Sequence, residues 1–373
     1  MDIRIDEVPL AERRPKPTDE SALGFGKIFS DHMFTMRWKP DKGWHDAVIS
    51  KYGPIPMAPA SLVLHYGQTI FEGLKAYRAK DDAINLFRPY KNFERMNASA
   101  KRLDMPPVDV EVTMQAVRTL IGLDHEWVPR SKGTSLYIRP FMFGAEPYVG
   151  LKSSSDVMMI IIIGPVGAYY PEGFNPVSLQ VCEKYSRAGP GGLGAVKTAA
   201  NYAASLLAEK EAKQAGYTQV LWLDAAQRKF LEEVGSMNIL LKIDGKLITP
   251  ALGGTILSGV TRDSVLQLAK SWGIGVEERA IAIDEVLAAH KSGKLEEMFG
   301  AGTAAVISPV ATMNYKGQDY KVGSGKTGPL AQRLFDELTG IQYGLRPDPF
   351  NWIYQVRAPQ KKTKTPMPSS AAV

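Results

Sequence analysis

The sequence predicts an α+β fold in two domains, and three observations carry that expectation. At 373 residues the chain is longer than one ordinary domain. Strand-like runs and hairpin turns alternate irregularly with amphipathic helical patterns, unlike the regular βαβ repeat of a doubly wound sheet. One stretch, PVGAYYPEGFNPV, sets three prolines and two glycines between two strand-like runs, which is the composition of a linker. The expected division is a smaller α+β domain over residues 1–164, a linker over 165–177 and a larger α+β domain over 178–373.

Residues 1 to about 55, rich in Pro and Asp, read as an extended lead-in. AINLFRPY, TSLYIRPFMF and VMMIIIIG then read as strands, set among two helical patterns. In the first of these helices Phe93, Met96, Ala100 and Leu103 form the apolar stripe, and Arg95 points away from it, toward solvent on pattern alone. The second half opens with the strand VSLQVC. The stretch GPGGLGAVKTAANYAASLLAEK then runs a glycine-rich turn into a helix. Ala199, Tyr202, Ala203, Leu206 and Leu207 share one face of that helix, predicted to be the packed one, and Gly216 closes it. Strands TQVLWLD, FLEEV and NILLKI follow, and Asp244-Gly245 predicts a hairpin into KLITP. Ser258-Gly259-Val260-Thr261 precedes a helix whose apolar face is Val265, Leu268, Ala269 and Trp272.

Composition narrows the function classes. Apolar residues make up 45% and charged residues 23%, the balance of a globular protein with a sizeable core. The net charge of +6 is scattered and lies partly in a terminal KKTKTP. No basic block interleaved with aromatics predicts a nucleic-acid partner, and anionic small molecules suit the charge equally well. VMMIIIIGPVGA is too short to span a bilayer, and MDIRIDEVPLAERRPKPTDES shows no apolar leader, so a cytoplasmic protein with no membrane partner is expected. The single cysteine, Cys182, excludes an intramolecular disulfide and reads as a buried strand thiol. The five histidines are dispersed, so no metal site is expected.

Lys197, between the glycine-rich turn and its helix, admits three readings. As a nucleotide loop, Gly189, Gly191 and Gly194 satisfy G-x-G-x-x-G but stand too far from the preceding strand. A better decoy is VGSGKTGPL, where Gly325, Lys326 and Thr327 imitate the end of a phosphate loop; Tyr320 occupies the place of its first glycine. A solvated lysine is the second reading. A cation there faces the positive end of the helix dipole, at a cost of roughly a few tenths of a kcal/mol. That field, together with burial, lowers an amine's pKa, and a neutral amine is what a nucleophilic lysine needs. The third reading is therefore a lysine bonded to pyridoxal phosphate, which also requires an acid at the pyridine nitrogen, a donor at the ring oxygen and an anion cradle.

KTAANYAASL, LEEVGSMN, LSGVTRDSV, FGAGTAAVISPV and GPLAQRLFDELTGIQYG resemble, in this order, the branched-chain amino acid aminotransferases of the fold type IV pyridoxal-phosphate enzymes. HYGQTIFEGLKAYR, NFERMNASAKRL and LYIRPFMFG resemble the same family in the first half, so the likeness runs from about His65 to Trp352. The resemblance implies transfer of an amino group between Leu, Ile or Val and 2-oxoglutarate, with pyridoxal 5′-phosphate as cofactor and a homodimer as the assembly. It implies Lys197 as the Schiff-base lysine and Tyr202 as donor to the ring oxygen. Glu233 is implied as the acid at the pyridine nitrogen; strand alternation puts its neighbour Glu232 on the opposite face, the better candidate for water. Arg95, Gly259, Val260, Thr261 and Thr303 are implied around the phosphate. Tyr66, Phe71 and Tyr169 are implied as aromatic pocket walls, Tyr137 and Arg139 as the polar groups for an acidic substrate, and the amides of Thr303 and Ala304 as the α-carboxylate site. Strand alternation independently puts Tyr137 and Arg139 on one face. Some members carry a redox-active Cys-x-x-Cys where Ala305 and Ser308 stand here, so no thiol switch is expected. D-amino acid transaminases and aminodeoxychorismate lyases share the fold and are the nearest alternatives; a nucleotide-binding protein using GSGKT is a remote one.

Overall fold

The structure is a computed structural model that describes residues 1–167 and 174–356. Tyr169, the middle of PVGAYYPEGFNPV and the KKTKTP segment lie outside the described residues.

The first half contains β1 (Arg4–Ile5), β2 (His32–Lys39), β3 (Gly43–Lys51), α1 (Leu62–Tyr66), β4 (Thr69–Phe71), β5 (Leu74–Arg78) and β6 (Ile84–Phe87). Helices α2 (Pro89–Arg102) and α3 (Val110–Leu123) and the long strands β7 (Ser135–Gly144) and β8 (Val157–Val166) complete it. These strands build a nine-stranded sheet in the order β1-β3-β2-β8-β7-β5-β6-β18, with β4 pairing β7. The last member, β18 (Ile353–Val356), returns from the far end of the chain to pair antiparallel with β6. A domain over 178–373 would have kept that strand with the second half. The lead-in expectation is also corrected, because β2 and β3 form a hairpin inside the sheet. Their charged residues dilute the apolar signal, yet Phe34, Met36, Ala47 and Ile49 are buried in its core.

Helices α2 and α3 cover one face of this sheet. Phe93, Met96 and Ala100, the stripe read from the sequence, are fully buried against it with Met114, Val117, Leu120 and Ile121. Each large apolar side chain so buried stabilises the fold by roughly 1.5–3 kcal/mol. Asp109 caps α3 through the amides of Glu111 and Val112.

The second half contains β9 (Val177–Cys182), α4 (Ala199–Gln214), β10 (Gln219–Leu223), β11 (Leu231–Val234), β12 (Met237–Ile243) and β13 (Lys246–Thr249). It continues through α5 (Val260–Ser271), β14 (Val276–Glu278), α6 (Ile283–Lys291), β15 (Leu295–Gly302), β16 (Val306–Tyr315), β17 (Gln318–Lys321) and α7 (Pro329–Gln342). The strand order is β11-β10-β9-β16-β15-β12-β13-β14, and β11 also pairs with β12, so six of these strands close into a barrel. Val177, Leu179, Val181, Leu221, Leu241 and Met313 belong to its core. The Asp244-Gly245 turn joins β12 to β13, with both residues at positive φ as a tight hairpin requires.

Helix α4 departs from its expected orientation. Its buried residues are Asn201, Ser205, Ala208 and Ala212, while Leu206 and Leu207 are 65% and 52% exposed. Small side chains face inward because Val220 and the large Trp222 of β10 already fill that space. Cys182 is half-buried at the end of β9, less covered than expected, and its sulfur accepts the Tyr185 N–H.

Candidate active site

A cleft of about 700 Å³ opens between the first sheet and the barrel. Its walls come from β4 and β7 on one side and from Lys197, α4, the start of α5 and the β15–β16 turn on the other.

The main chain of Lys197 is pinned from the first sheet. Its N–H donates to Ser99 Oγ of α2 at 3.1 Å, and its carbonyl accepts the Phe71 N–H at 3.0 Å. The preceding turn can approach closely only because Gly194 lacks a side chain; a Cβ there would strike the Thr255 backbone. Lys197 Nζ donates to the Tyr202 hydroxyl at 2.7 Å and lies over the Phe71 ring. Burial lowers the Lys197 amine to about 8, with the Arg95 cation adding to the effect and Glu72 opposing it. Burial pushes the Tyr202 hydroxyl up to about 12, so it keeps its proton.

Glu233 sits one layer deeper, behind Asn238 and Leu257 of the cleft wall. Its Oε2 is 2.6 Å from Arg187 Nε, and its Oε1 accepts the Leu257 N–H at 2.8 Å and Asn238 Nδ2 at 3.3 Å. Burial raises its carboxyl to about 7 against the pull of Arg187. Glu232, expected in water, is only 4% exposed. Its Oε2 has no hydrogen-bond partner among the described residues, and burial raises its pKa too. All four residues of β11 are buried, so alternation along this strand does not separate a wet face from a dry one.

Arg95 is likewise buried, at 9% exposure, and reaches the cleft. Its Nε and one terminal nitrogen grip both oxygens of Glu72 at 2.7 and 2.8 Å, and the other donates to the Ser258 carbonyl at 3.0 Å. The side of α2 away from its apolar stripe therefore faces a buried acid. Helix α5 starts just after Ser258, with Gly259 as its N-cap. No side chain caps it, which leaves amides of the first turn for an anion. A Cβ on Gly259 would collide with Asn238 Oδ1.

On β7, Tyr137, Arg139 and Phe141 all line the cleft, as the alternation predicts. Arg139 donates to the Tyr137 hydroxyl at 2.9 Å and lies 4.7 Å from the Phe71 ring centre. Arg139 Nε is buried without a hydrogen-bond partner among the described residues. Thr303 and Ala304 line the opposite wall. Tyr66 does not join them: it ends α1 at 43% exposure and donates to the Val149 carbonyl. The phosphate-loop decoy before α7 is occupied by the protein itself, since the Glu297 carboxylate accepts the amides of Leu330 and Ala331. Among the described residues no cluster of His, Cys, Asp and Glu could hold a metal ion.

Sequence reasoning missed Arg187, Glu72, Asn238 and Ser99, each of which holds a residue it found. Glu72, Ser99 and Asn238 stood in quoted motifs with no role of their own, and Arg187 stood in none, because nothing in the sequence marked the partners the fold would bring to them.

A partly neutral lysine amine beside an uncapped helix N-terminus is equipment for amino-group chemistry on a phosphorylated aldehyde. The Amino-transferase class IV pattern matches residues 69–313, and the chain belongs to that family. It is 51% identical over 346 residues to "Branched-chain-amino-acid aminotransferase 2" of Bacillus subtilis, covering 93% of this chain and 95% of that one. It is 46% identical to a probable branched-chain-amino-acid aminotransferase of Streptomyces coelicolor, covering 89% and 92% of the two chains. The crystal structure of the Escherichia coli branched-chain amino acid aminotransferase superposes with a TM-score of 0.74 at 28% identity, covering 88% of this chain and 99% of the other. The fold is that of the type IV enzymes, and the cofactor is pyridoxal phosphate. The residues present fit that group: an uncapped helix start with Gly259 bare of a Cβ, an arginine in the cleft and a lysine amine within reach of a hydroxyl.

Proposed function

We propose that the chain transfers the amino group of Leu, Ile or Val to 2-oxoglutarate and back, with Lys197 as its catalytic base and acid. The observation that carries the assignment of Lys197 is its amine, partly buried in the cleft wall, 2.7 Å from Tyr202 and lowered to about 8 by desolvation. When bound, pyridoxal phosphate supplies an electron sink conjugated to the substrate Cα.

In this reading Lys197 takes the proton from Cα and returns it on the other side of the transfer, a general acid–base step worth roughly 10²–10⁴-fold. Tyr202 keeps its proton, would donate a hydrogen bond to the cofactor's ring oxygen, and orients the lysine. Glu233, fixed by Arg187 and Leu257, holds a proton on the pyridine nitrogen. Arg95, Thr303 and the amides of Val260 and Thr261 hold the phosphate, with Gly259 allowing the approach. Phe71 gives the substrate side chain an apolar wall, and Tyr66 and Tyr169 belong to the same proposal. Arg139 and Tyr137 meet the second carboxylate of glutamate, and the amides of Thr303 and Ala304 take the α-carboxylate that all substrates share.

The branched-chain assignment agrees with the names of relatives at about half identity over nearly the whole chain. No helix among the described residues is long and apolar enough to cross a membrane. The single cysteine suits a reducing cytoplasm. A homodimer is part of the proposal, supported by the exposed apolar residues Leu206 and Leu207 of α4 and Leu64, Tyr148, Val149 and Leu151. Product analysis tests the reaction: leucine with 2-oxoglutarate is expected to give 4-methyl-2-oxopentanoate and glutamate. Turnover of D-alanine or aminodeoxychorismate in place of leucine would move the chain to one of the alternative reactions of this fold.

A further inference from the structure

We propose that Lys75 is a positioning residue for the substrate carboxylate, its ammonium bracing the Thr303–Ala304 turn from behind through the Ala304 carbonyl. The inference rests on the reading that the amides of this turn take the α-carboxylate.

Lys75 lies on β5 of the first sheet, yet its Nζ donates across to the Ala304 carbonyl of the second half at 2.7 Å. The side chain is not part of the cleft wall. It lines a second cavity of about 680 Å³ on the other side of the turn, and Ala304 lines both spaces. Thr303, Ala304 and Ala305 form a tight link between the paired residues Gly302 and Val306. Val306 closes it at φ 63°, a left-handed conformation that is strained for a β-branched residue. A turn of this shape persists only when its surroundings hold it, and the bond from Lys75 is such a hold.

The same lysine is 7% exposed, and among the described residues no carboxylate pairs with it. Burial lowers its amine to about 8, so the ammonium form predominates at neutral pH. A buried cation without a counter-ion is costly, and it raises the local potential for an anion arriving on the other face of the turn. Lys75 therefore fixes the direction of the turn and makes its floor positive. Every substrate carries the α-carboxylate, so the effect is common to leucine and glutamate, unlike that of Arg139.

The test uses the holoenzyme and 4-methylvalerate, a branched carboxylate without the reacting amine, titrated by calorimetry. Lys75→Met is expected to weaken its binding about tenfold, in line with loss of a charge-assisted contact. The KM values for leucine and glutamate should rise together by about the same factor, with kcat changed by less than about threefold. Lys75→Arg should recover most of the affinity. Parental affinity in Lys75→Met, or a loss confined to glutamate, would overturn the proposal. Should the Met variant fail to fold, Lys75→Gln, uncharged and one bond shorter than the 2.7 Å contact to Ala304 requires, is expected to show the same roughly tenfold loss, and parental affinity in it would overturn the proposal. A parent enzyme that fails to transaminate leucine sinks the underlying reading instead; an active parent with an indifferent Lys75 sinks only the brace.

Discussion

Arg187 and Glu233 form a buried ion pair, Nε to Oε2 at 2.6 Å, with side-chain exposures of 6% and 2%. The acid assigned to the pyridine nitrogen is thus held by a cation on one side and by the Leu257 amide on the other. Glu233→Gln keeps the shape and removes the charge. Cofactor should still bind, while proton transfer at the substrate Cα slows by roughly 10²-fold or more. Stopped-flow half-reactions with leucine measure it. Near-parental transfer in Glu233→Gln, with Glu232→Gln slowed, would place the function on the neighbouring residue.

The same carboxyl makes a stability prediction for the cofactor-free protein. Its pKa is raised from an ordinary 4.5 to about 7 by burial. A raised folded value contributes stability that is fully present below about 4.5 and is lost as pH rises through about 7. The melting temperature of the parent, relative to Glu233→Gln, should therefore fall between pH 5 and pH 8. A difference that is constant across this window would show that burial does not perturb Glu233.

Arg139→Ala removes the cleft cation beside Tyr137 and Phe71. KM for glutamate and 2-oxoglutarate should rise by about tenfold or more, and that for leucine much less, because only the former bring a second carboxylate. Equal damage to both half-reactions would refute the assignment to side-chain recognition.

Gly259→Ala puts a methyl group against Asn238 and at the mouth of the α5 cradle. Pyridoxal phosphate affinity should drop by about tenfold or more as the first-turn amides are blocked, with a melting temperature for the cofactor-free protein lowered only modestly. Unchanged cofactor affinity would move the phosphate away from α5.

What was legible in the sequence was local. Lys197 before its helix, Ser258-Gly259-Val260-Thr261 at the start of α5 and the pair Tyr137–Arg139 are each readable from a few neighbouring residues, because helix starts and strand alternation are short-range geometry. What was hidden depended on burial from elsewhere. Arg95 looked solvent-facing until Glu72, from another element, closed over it. Glu232 looked wet because a strand buried on both faces keeps no record of that in its alternation. The apolar stripe of α4 was real, but Trp222 had already taken the inner space and turned the stripe outward. The returning strand β18 pairs with residues more than 260 positions away, a partnership no local pattern encodes.

The central claim is that Lys197 bonds the cofactor, and the visible absorbance spectrum of the purified protein given pyridoxal phosphate tests it most directly. The parent should be yellow, with a band that borohydride removes while fixing the cofactor to Lys197, and Lys197→Ala should lack that band although Arg95 and the α5 cradle still bind phosphate. A colourless parent, or a Lys197→Ala variant with the parental band and parental transamination, would contradict it.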